Sequence, residues 1–184
     1  QIIGRRFQIV HVQFGREIIE VTTFRSNQKQ PDSDATRRQT ESGMLTRDNV
    51  FGTLRDDASR RDLTINALYY NPSDNSVRDF SEGLEDIKRR LIRIMGDPEV
   101  RFREDPVRLL RVVRFSAKLG FQIEPRTAEP MRALANSLQQ VSSPRLFDES
   151  LKLFMSGQSL ATFRLLQDYN FFAHMVPQSA ECLG

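Results

Sequence analysis

With 184 residues, 39% of them hydrophobic and 28% charged, the chain has the material for one ordinary domain with a packed core under a heavily charged surface. Its formal charge is +3 and it carries a single cysteine, Cys182, which excludes an internal disulfide and a cysteine-based zinc cluster. No apolar run approaches the ~18 residues of a membrane span and no charged-then-apolar leader opens the chain, so a reduced, cytoplasmic protein with no membrane partner is expected.

The first elements are β-rich. Phe7 to Phe14 and Glu17 to Phe24 flank Gly15-Arg16 and predict a hairpin. In its second strand Ile18, Glu20 and Thr22 share one face, and Ile19, Val21 and Thr23 the other. Residues 26–49 are polar, with almost nothing apolar to bury around Ser26 to Asp34, and predict a long mobile loop. Order is expected to resume near Val50-Phe51. Asn71 to Asn75 reads as a turn, Ser76 to Phe80 as a short strand, Leu84 to Arg90 as a helix and Leu91 to Met95 as a strand. Beyond Gly96-Asp97-Pro98 every element reads as helical. Asp105-Pro106 and Ser143-Pro144 look like caps followed by a proline in the first turn, and Gly120 and Gly157 stand where helices stop. The fold class expected is α+β, with a β-containing part over residues 1–96 and an all-helical part over 97–184.

The helix 105–119 is the most informative segment. At ~100° per residue, Leu109, Leu110, Val112, Val113, Ser116 and Ala117 fall on one side, and Arg108, Arg111, Arg114 and Lys118 on the other. Like charges one turn apart repel by a few tenths of a kcal/mol, so an anion must face the stripe. Either Glu104, Asp105 and other acids of the chain supply it, or a phosphate-bearing ligand does. The basic residues number 23 Arg against 4 Lys, and 22 of the Arg precede residue 146. Arg is the side chain for forked bonding to phosphate and base edges, although pairing with the 24 acids uses it too. Asp105 and Arg108, an acceptor and a donor one turn apart, form a pattern that reads the Watson–Crick edge of a base; the alternative is that Asp105 only caps the helix.

Four segments resemble a known family. Arg60-Arg61-Asp62-Leu63-Thr64-Ile65-Asn66-Ala67 resembles the R-R-D-x-T-I-N-A motif of class II nucleotidyltransferases, which comprise bacterial poly(A) polymerases and CCA-adding tRNA nucleotidyltransferases. Glu104-Asp105-Pro106-Val107-Arg108, continuing to Arg111 and Arg114, resembles their E-D-P-x-R-x-x-R-x-x-R motif. Asp79-Phe80 through Gly83 and Asp86, and Glu20 to Arg25, are similar to two further motifs in the family's order. Gly4-Arg5-Arg6-Phe7, Ile9 to Val12 and Leu146 to Leu153 are closer to the poly(A) polymerase branch. The family's G-G-x-V-R-D and D-x-D motifs have no counterpart here; Asp32-Ser33-Asp34 has the letters but stands after the second strand. The resemblance therefore implies an N-terminally truncated enzyme: a partial nucleotidyltransferase β-sheet head over 1–96, with a mobile loop 26–49, followed by an all-helical neck over 97–184.

The resemblance also implies a chemistry: template-independent transfer of AMP from ATP to RNA 3′ ends, by in-line attack of a 3′-hydroxyl on the α-phosphate with Mg²⁺, or Mn²⁺, as cofactor. CCA addition to tRNA is the alternative, and a nucleotide- or RNA-binding remnant without catalysis a second one. Asp62 and Glu20 are the expected catalytic residues, with Glu20 also a metal ligand. Arg61, Arg111 and Arg114 are expected to hold triphosphate and ribose, and Asp105 with Arg108 to read adenine. For Asp62 the bland alternative is an ion pair with Arg61; for Asn66 it is a backbone hydrogen bond; for His11, an ordinary strand position. RNA 3′ ends and ATP are the expected partners, and a monomer is the expected state.

Overall fold

A computed structural model describes residues 2–3, 9–26 and 50–182. Gly4 to Phe7, Asp32-Ser33-Asp34 and the rest of the polar stretch 27–49 lie outside the described residues. Strands β1 (Ile2–Ile3), β2 (Ile9–Phe14) and β3 (Glu17–Val21) form an antiparallel sheet in the order β1-β2-β3. Phe14 pairs with Glu17 across the turn, and Gly15 takes φ +63°, a left-handed conformation cheap only for glycine. The hairpin is as expected, but the two-faced pattern has no consequence for burial: every residue of β3 is exposed, because among the described residues no element covers either face.

Strand β4 (Arg25–Ser26) pairs antiparallel with β5 (Val50–Phe51), tying together the two ends of the polar stretch. Helix α1 (Leu54–Arg60) starts at a capping box in which Thr53 and Asp56 satisfy one another's backbone N–H groups. A 3₁₀ turn over Thr64–Asn66 follows, then the hairpin of β6 (Leu68–Asn71) and β7 (Ser76–Asp79), helix α2 (Gly83–Arg89) and β8 (Leu91–Ile92). The strand expected over Leu91 to Met95 is thus only two residues long; Ile94 continues it as a single bridge to Leu63.

The helical part is α3 (Pro98–Glu104), α4 (Val107–Leu119), α5 (Pro125–Ala128), a 3₁₀ stretch over Ala135–Gln140, α6 (Ser143–Phe154), α7 (Ser159–Asp168), α8 (Phe171–Met175) and α9 (Pro177–Cys182). It also contains β9 (Gln122–Ile123), parallel to β8, which corrects the expectation that nothing but helix follows Pro98. A strand of two residues has no readable alternation; its partner 31 residues away makes it one. Asp105-Pro106 is a break rather than a start. Asp105 is the extended C-cap of α3, φ −152° and ψ 95°, as steric pressure from a following proline demands, and the N-cap of α4 is Pro106. Likewise the N-cap of α6 is Ser142, and its side chain makes no capping bond. Gly120, with φ +63°, does end α4.

The core face of α4 is the expected one: Leu109, Leu110, Val112, Val113, Ser116 and Ala117 are all buried. Leu109, Leu110, Val112 and Val113 join a single cluster with Leu63, Ile92 and Ile94 from the β-containing part and with Phe102, Leu153, Leu166 and Phe171 from the other helices. One further position is tightly constrained. A Cβ on Gly83 would lie 2.4 Å from the Thr64 carbonyl oxygen, inside any real contact, and the obstacle is backbone. Gly83→Ala is therefore expected to destabilise the protein by about 1–3 kcal/mol through overpacking, seen as a fall in urea midpoint at an unchanged slope.

Candidate nucleotide-binding site

Helix α4 is a rigid mount whose buried face fixes the direction of its opposite one. From that face Arg108, Arg111 and Arg114 each meet a carboxylate from a different place in the chain, and Lys118 is exposed. The repulsion along the stripe is thus offset within the protein.

Arg111 Nε donates to Asp62 Oδ2. Asp62 stands at the end of the Arg60-Arg61-Asp62 turn, and three bonds hold that turn in place. The Arg101 guanidinium, on α3 and 7% exposed, donates to the carbonyls of Arg60 at 2.9 Å and Arg61 at 2.7 Å, and the Met95 N–H donates to the Asp62 carbonyl at 2.8 Å. The other carboxylate oxygen, Oδ1, accepts from Asn66 Nδ2 at 3.3 Å. Asn66 is therefore bonded to a side chain, not to backbone, and Asp62 pairs with Arg111, not with its neighbour Arg61. Burial pushes the Asp62 carboxyl up, but Arg111, Asn66 and the Leu63 N–H outweigh it and hold the group below its ordinary value. Burial lowers the Arg111 guanidinium, yet Asp62, with help from Glu149 and Asp105, raises it overall.

A carboxyl lowered in the folded state contributes stability above its unfolded pKa, about 3.9, and loses it as pH falls through the folded value. The acid limb of the stability profile is therefore expected to be shallower in Asp62→Asn than in the parent, checked by urea unfolding between neutral pH and about pH 3, with no difference in slope removing Asp62 from the linkage.

The side chains of Arg108 and Asp105 do not hold one another, although the Arg108 N–H donates to the Asp105 carbonyl at 3.0 Å. Arg108 Nη1 donates to Glu104 Oε2 at 3.0 Å and to the Arg101 carbonyl at 2.8 Å, and its side chain is 11% exposed. Glu104 also accepts from Arg101 Nη1 at 2.8 Å. Asp105 Oδ1 accepts from the Val107 N–H at 3.3 Å, and Oδ2 from Arg145 Nη2 at 2.7 Å. The break at Pro106 explains the separation: in an extended residue ahead of the helix, Asp105 is not one α-helical turn before Arg108. Arg114 faces Glu149 of α6 with Nε and Oε2 at 3.7 Å, and both atoms are buried without a hydrogen bond. Arg111 and Arg114 also share the face of Phe115, at 5.5 and 4.9 Å from its centroid.

Two expected residues lie apart from this group. Arg61 donates Nη2 to Asp57 Oδ2 at 2.8 Å and stacks on Tyr69. Asp57, which is buried, also accepts from the Tyr69 hydroxyl at 2.7 Å and the Arg25 N–H at 3.1 Å. Glu20 stands opposite His11 in β2, with Oε1 3.3 Å from Nε2, and its side chain is 65% exposed. Among the described residues no group of three or more His, Cys, Asp or Glu side chains could hold a metal ion. A single exposed carboxylate 3.3 Å from a histidine nitrogen does not by itself fit the oxygen-rich shell of Mg²⁺. The partners missed by sequence reasoning are Arg101, Arg145, Glu149 and Asp57. Glu104 was legible as one of the acids of the chain that could face the cationic stripe.

Two family models match the chain: the poly(A) polymerase head domain over residues 1–93, and the probable RNA- and SrmB-binding site of polymerase A over residues 120–183. Poly(A) polymerase I of Haemophilus influenzae is 50% identical over 177 residues, which is 96% of this chain and 39% of that protein. The CCA-adding enzyme of Bacillus subtilis is 36% identical over 94% of this chain and 42% of its own length. Among solved structures, the Bacillus stearothermophilus CCA-adding enzyme in complex with CTP superposes with a TM-score of 0.74 at 31% identity, covering 94% of this chain and 39% of that one. The chain thus spans about two-fifths of the length of the relatives it matches.

Proposed function

Because the chain belongs to the poly(A) polymerase head-domain family, we propose that it is the nucleotide-handling portion of an enzyme that transfers AMP from ATP to RNA 3′ ends without a template. Residues 1–96 are the C-terminal part of its head, and 97–184 its neck. The 3′-hydroxyl oxygen bonds to the α-phosphorus, the bond to the bridging oxygen breaks, pyrophosphate leaves and the hydroxyl proton is released. The observation that carries the reading is the Asp62–Arg111 couple beside Asp105 and Arg108, four charged residues drawn from two segments 49 residues apart in sequence.

Each residue has a distinct role. Arg111 spends Nε on Asp62 and keeps its two terminal nitrogens for the triphosphate, where Arg114 adds charge; Arg61, held by Asp57 and Tyr69, stands outside this group. Asp62 has both oxygens engaged and a depressed pKa, so it is a poor proton acceptor and acts by aiming Arg111. Asp105 accepts from the adenine amino group and Arg108 donates to the adjacent ring nitrogen. A carboxylate oxygen that already holds one donor has a lone pair for another. Protein groups reading the base edge make a template unnecessary.

The superposition on a CCA-adding enzyme supports a second reading, in which the product is C-C-A on tRNA; the 50% against 36% identity favours runs of A. The full-length enzyme, given ATP and CTP together, is expected to put long A tails on a plain RNA. Self-limiting C-C-A addition to tRNA lacking its terminus, with no tail on the plain RNA, would reverse the assignment.

A further inference from the structure

A concave site whose walls include neither Asp62 nor Arg111 opens between the loop after β7 and the start of α5. Its volume is about 280 Å³, and Phe80, Ser81, Thr64, Arg93, Glu124 and Arg126 are among its walls. We propose that this cleft holds one nucleotide unit of single-stranded RNA, with Phe80 as the stacking platform and Arg93 and Arg126 facing the phosphate. The source of the strand rests on the reading of the chain as an RNA adenylyltransferase.

Phe80 is a large aromatic left 40% exposed at a concave place, and it is rigidly held. The carboxylate of Asp79, next to it, accepts from the N–H groups of Ser81 at 2.9 Å, Gly83 at 3.1 Å and Leu84 at 2.9 Å, so the loop that carries the ring is fixed before any ligand arrives. The Arg55 guanidinium covers one face of the ring at 5.4 Å from its centroid and is not among the walls of the cleft, so the other face is the one offered to a base. Arg93 is anchored by Asp86, with Nη2 2.9 Å from Oδ1; its Nε has no hydrogen-bond partner, and its side chain is 31% exposed. Arg126 is exposed and makes no hydrogen bond or ion pair among the described residues. The one acid in the wall, Glu124, is committed: Oε2 accepts from the Thr127 N–H at 2.8 Å and hydroxyl at 2.9 Å.

An aromatic face plus cations along a groove is how proteins hold unpaired nucleic acid without reading its sequence. The volume lies near the lower bound, about 300 Å³, of ligand pockets, which suits one nucleotide unit of a strand that continues past the cleft. An RNA strand and a free nucleotide share this chemistry, and the test separates them.

The full-length protein is irradiated with an oligoadenylate carrying one 4-thiouridine, and the crosslinked peptides are mapped. Adducts on the 79–88 peptide are expected. With a fluorescein-labelled oligoadenylate, Phe80→Ala and Phe80→Leu are both expected to weaken binding about tenfold, the loss of one stacked base, since leucine restores apolar bulk but no flat face. Arg126→Ala is expected to lower the slope of log affinity against log salt by about 0.7, the loss of one phosphate contact on a single strand. Adducts only outside this peptide, or Phe80 variants that bind like the parent, overturn the proposal. Displacement of the oligonucleotide from the cleft by AMP at equal concentration overturns RNA as the source. A parent protein that crosslinks in the cleft but transfers no AMP refutes the proposed function and leaves this site standing.

Discussion

Asp62→Ala is expected to lower kcat of the full-length enzyme by about 100-fold or more, the usual cost of losing a group that aims charge at a transition state. The Arg111 Nε donates to Asp62, and Arg111 is the partly exposed cation in the middle of the stripe. Without the carboxylate, Arg111 is free to turn toward Glu149 or Asp105, both of which already attract it. Its charge stays in the neighbourhood, so ATP is still bound, but its terminal nitrogens no longer point one way. The loss should therefore fall on kcat more than on KM. Asp62→Asn keeps an acceptor oxygen and removes the charge, and should fall between the two. Single-nucleotide addition to an oligoadenylate primer measures all three, and a near-normal kcat in Asp62→Ala would remove the couple from the mechanism.

The reason Asp62 and Arg111 could be named from sequence, but not their pairing, lies in what each kind of pattern encodes. Helical periodicity places Leu109, Leu110, Val112 and Val113 on one side of α4 because the residues that share a face are near neighbours in the chain. The same holds for the Gly15-Arg16 hairpin and for Gly120 at the end of α4. Pairings across the chain leave no such trace. Arg145 reaches Asp105 from 40 residues away, and Arg101 holds the Arg60 and Arg61 carbonyls from 41 and 40 away. An Asp beside an Arg suggests a local pair, and for Asp62 that local reading gives Arg61, whereas the fold gives Arg61 to Asp57 and Asp62 to Arg111. The Asp105-Pro106 break was misread for a different reason. An acid before proline is both a good N-cap and a good end to a preceding helix, and only the packing of α3 decides between them. Of β3, the alternation was legible but its burial was not, because burial depends on what lies against the sheet.

Arg108→Ala should reduce the preference for ATP over CTP, and the expected size follows from where Arg108 sits. Its guanidinium is bonded to Glu104 and to the Arg101 carbonyl, so it is preorganised and reaches a base with little further loss of freedom. Truncation removes the donor opposite the base ring nitrogen and takes one partner from Glu104. A site that loses one partner of a polar pair typically gives up ~1–3 kcal/mol, because the mate is left unsatisfied. The effect is on selectivity rather than on triphosphate binding, since Arg111 and Arg114 remain. Arg108→Lys separates charge from shape: an ammonium can pair with Glu104 but lacks the planar fork, so it should preserve stability and still lose discrimination. The measurement is kcat/KM for ATP and for CTP on one primer. An unchanged ratio in both variants, with a lowered melting temperature in Arg108→Ala, would make Arg108 a strut between α3 and α4 and leave the reading of the base to Asp105.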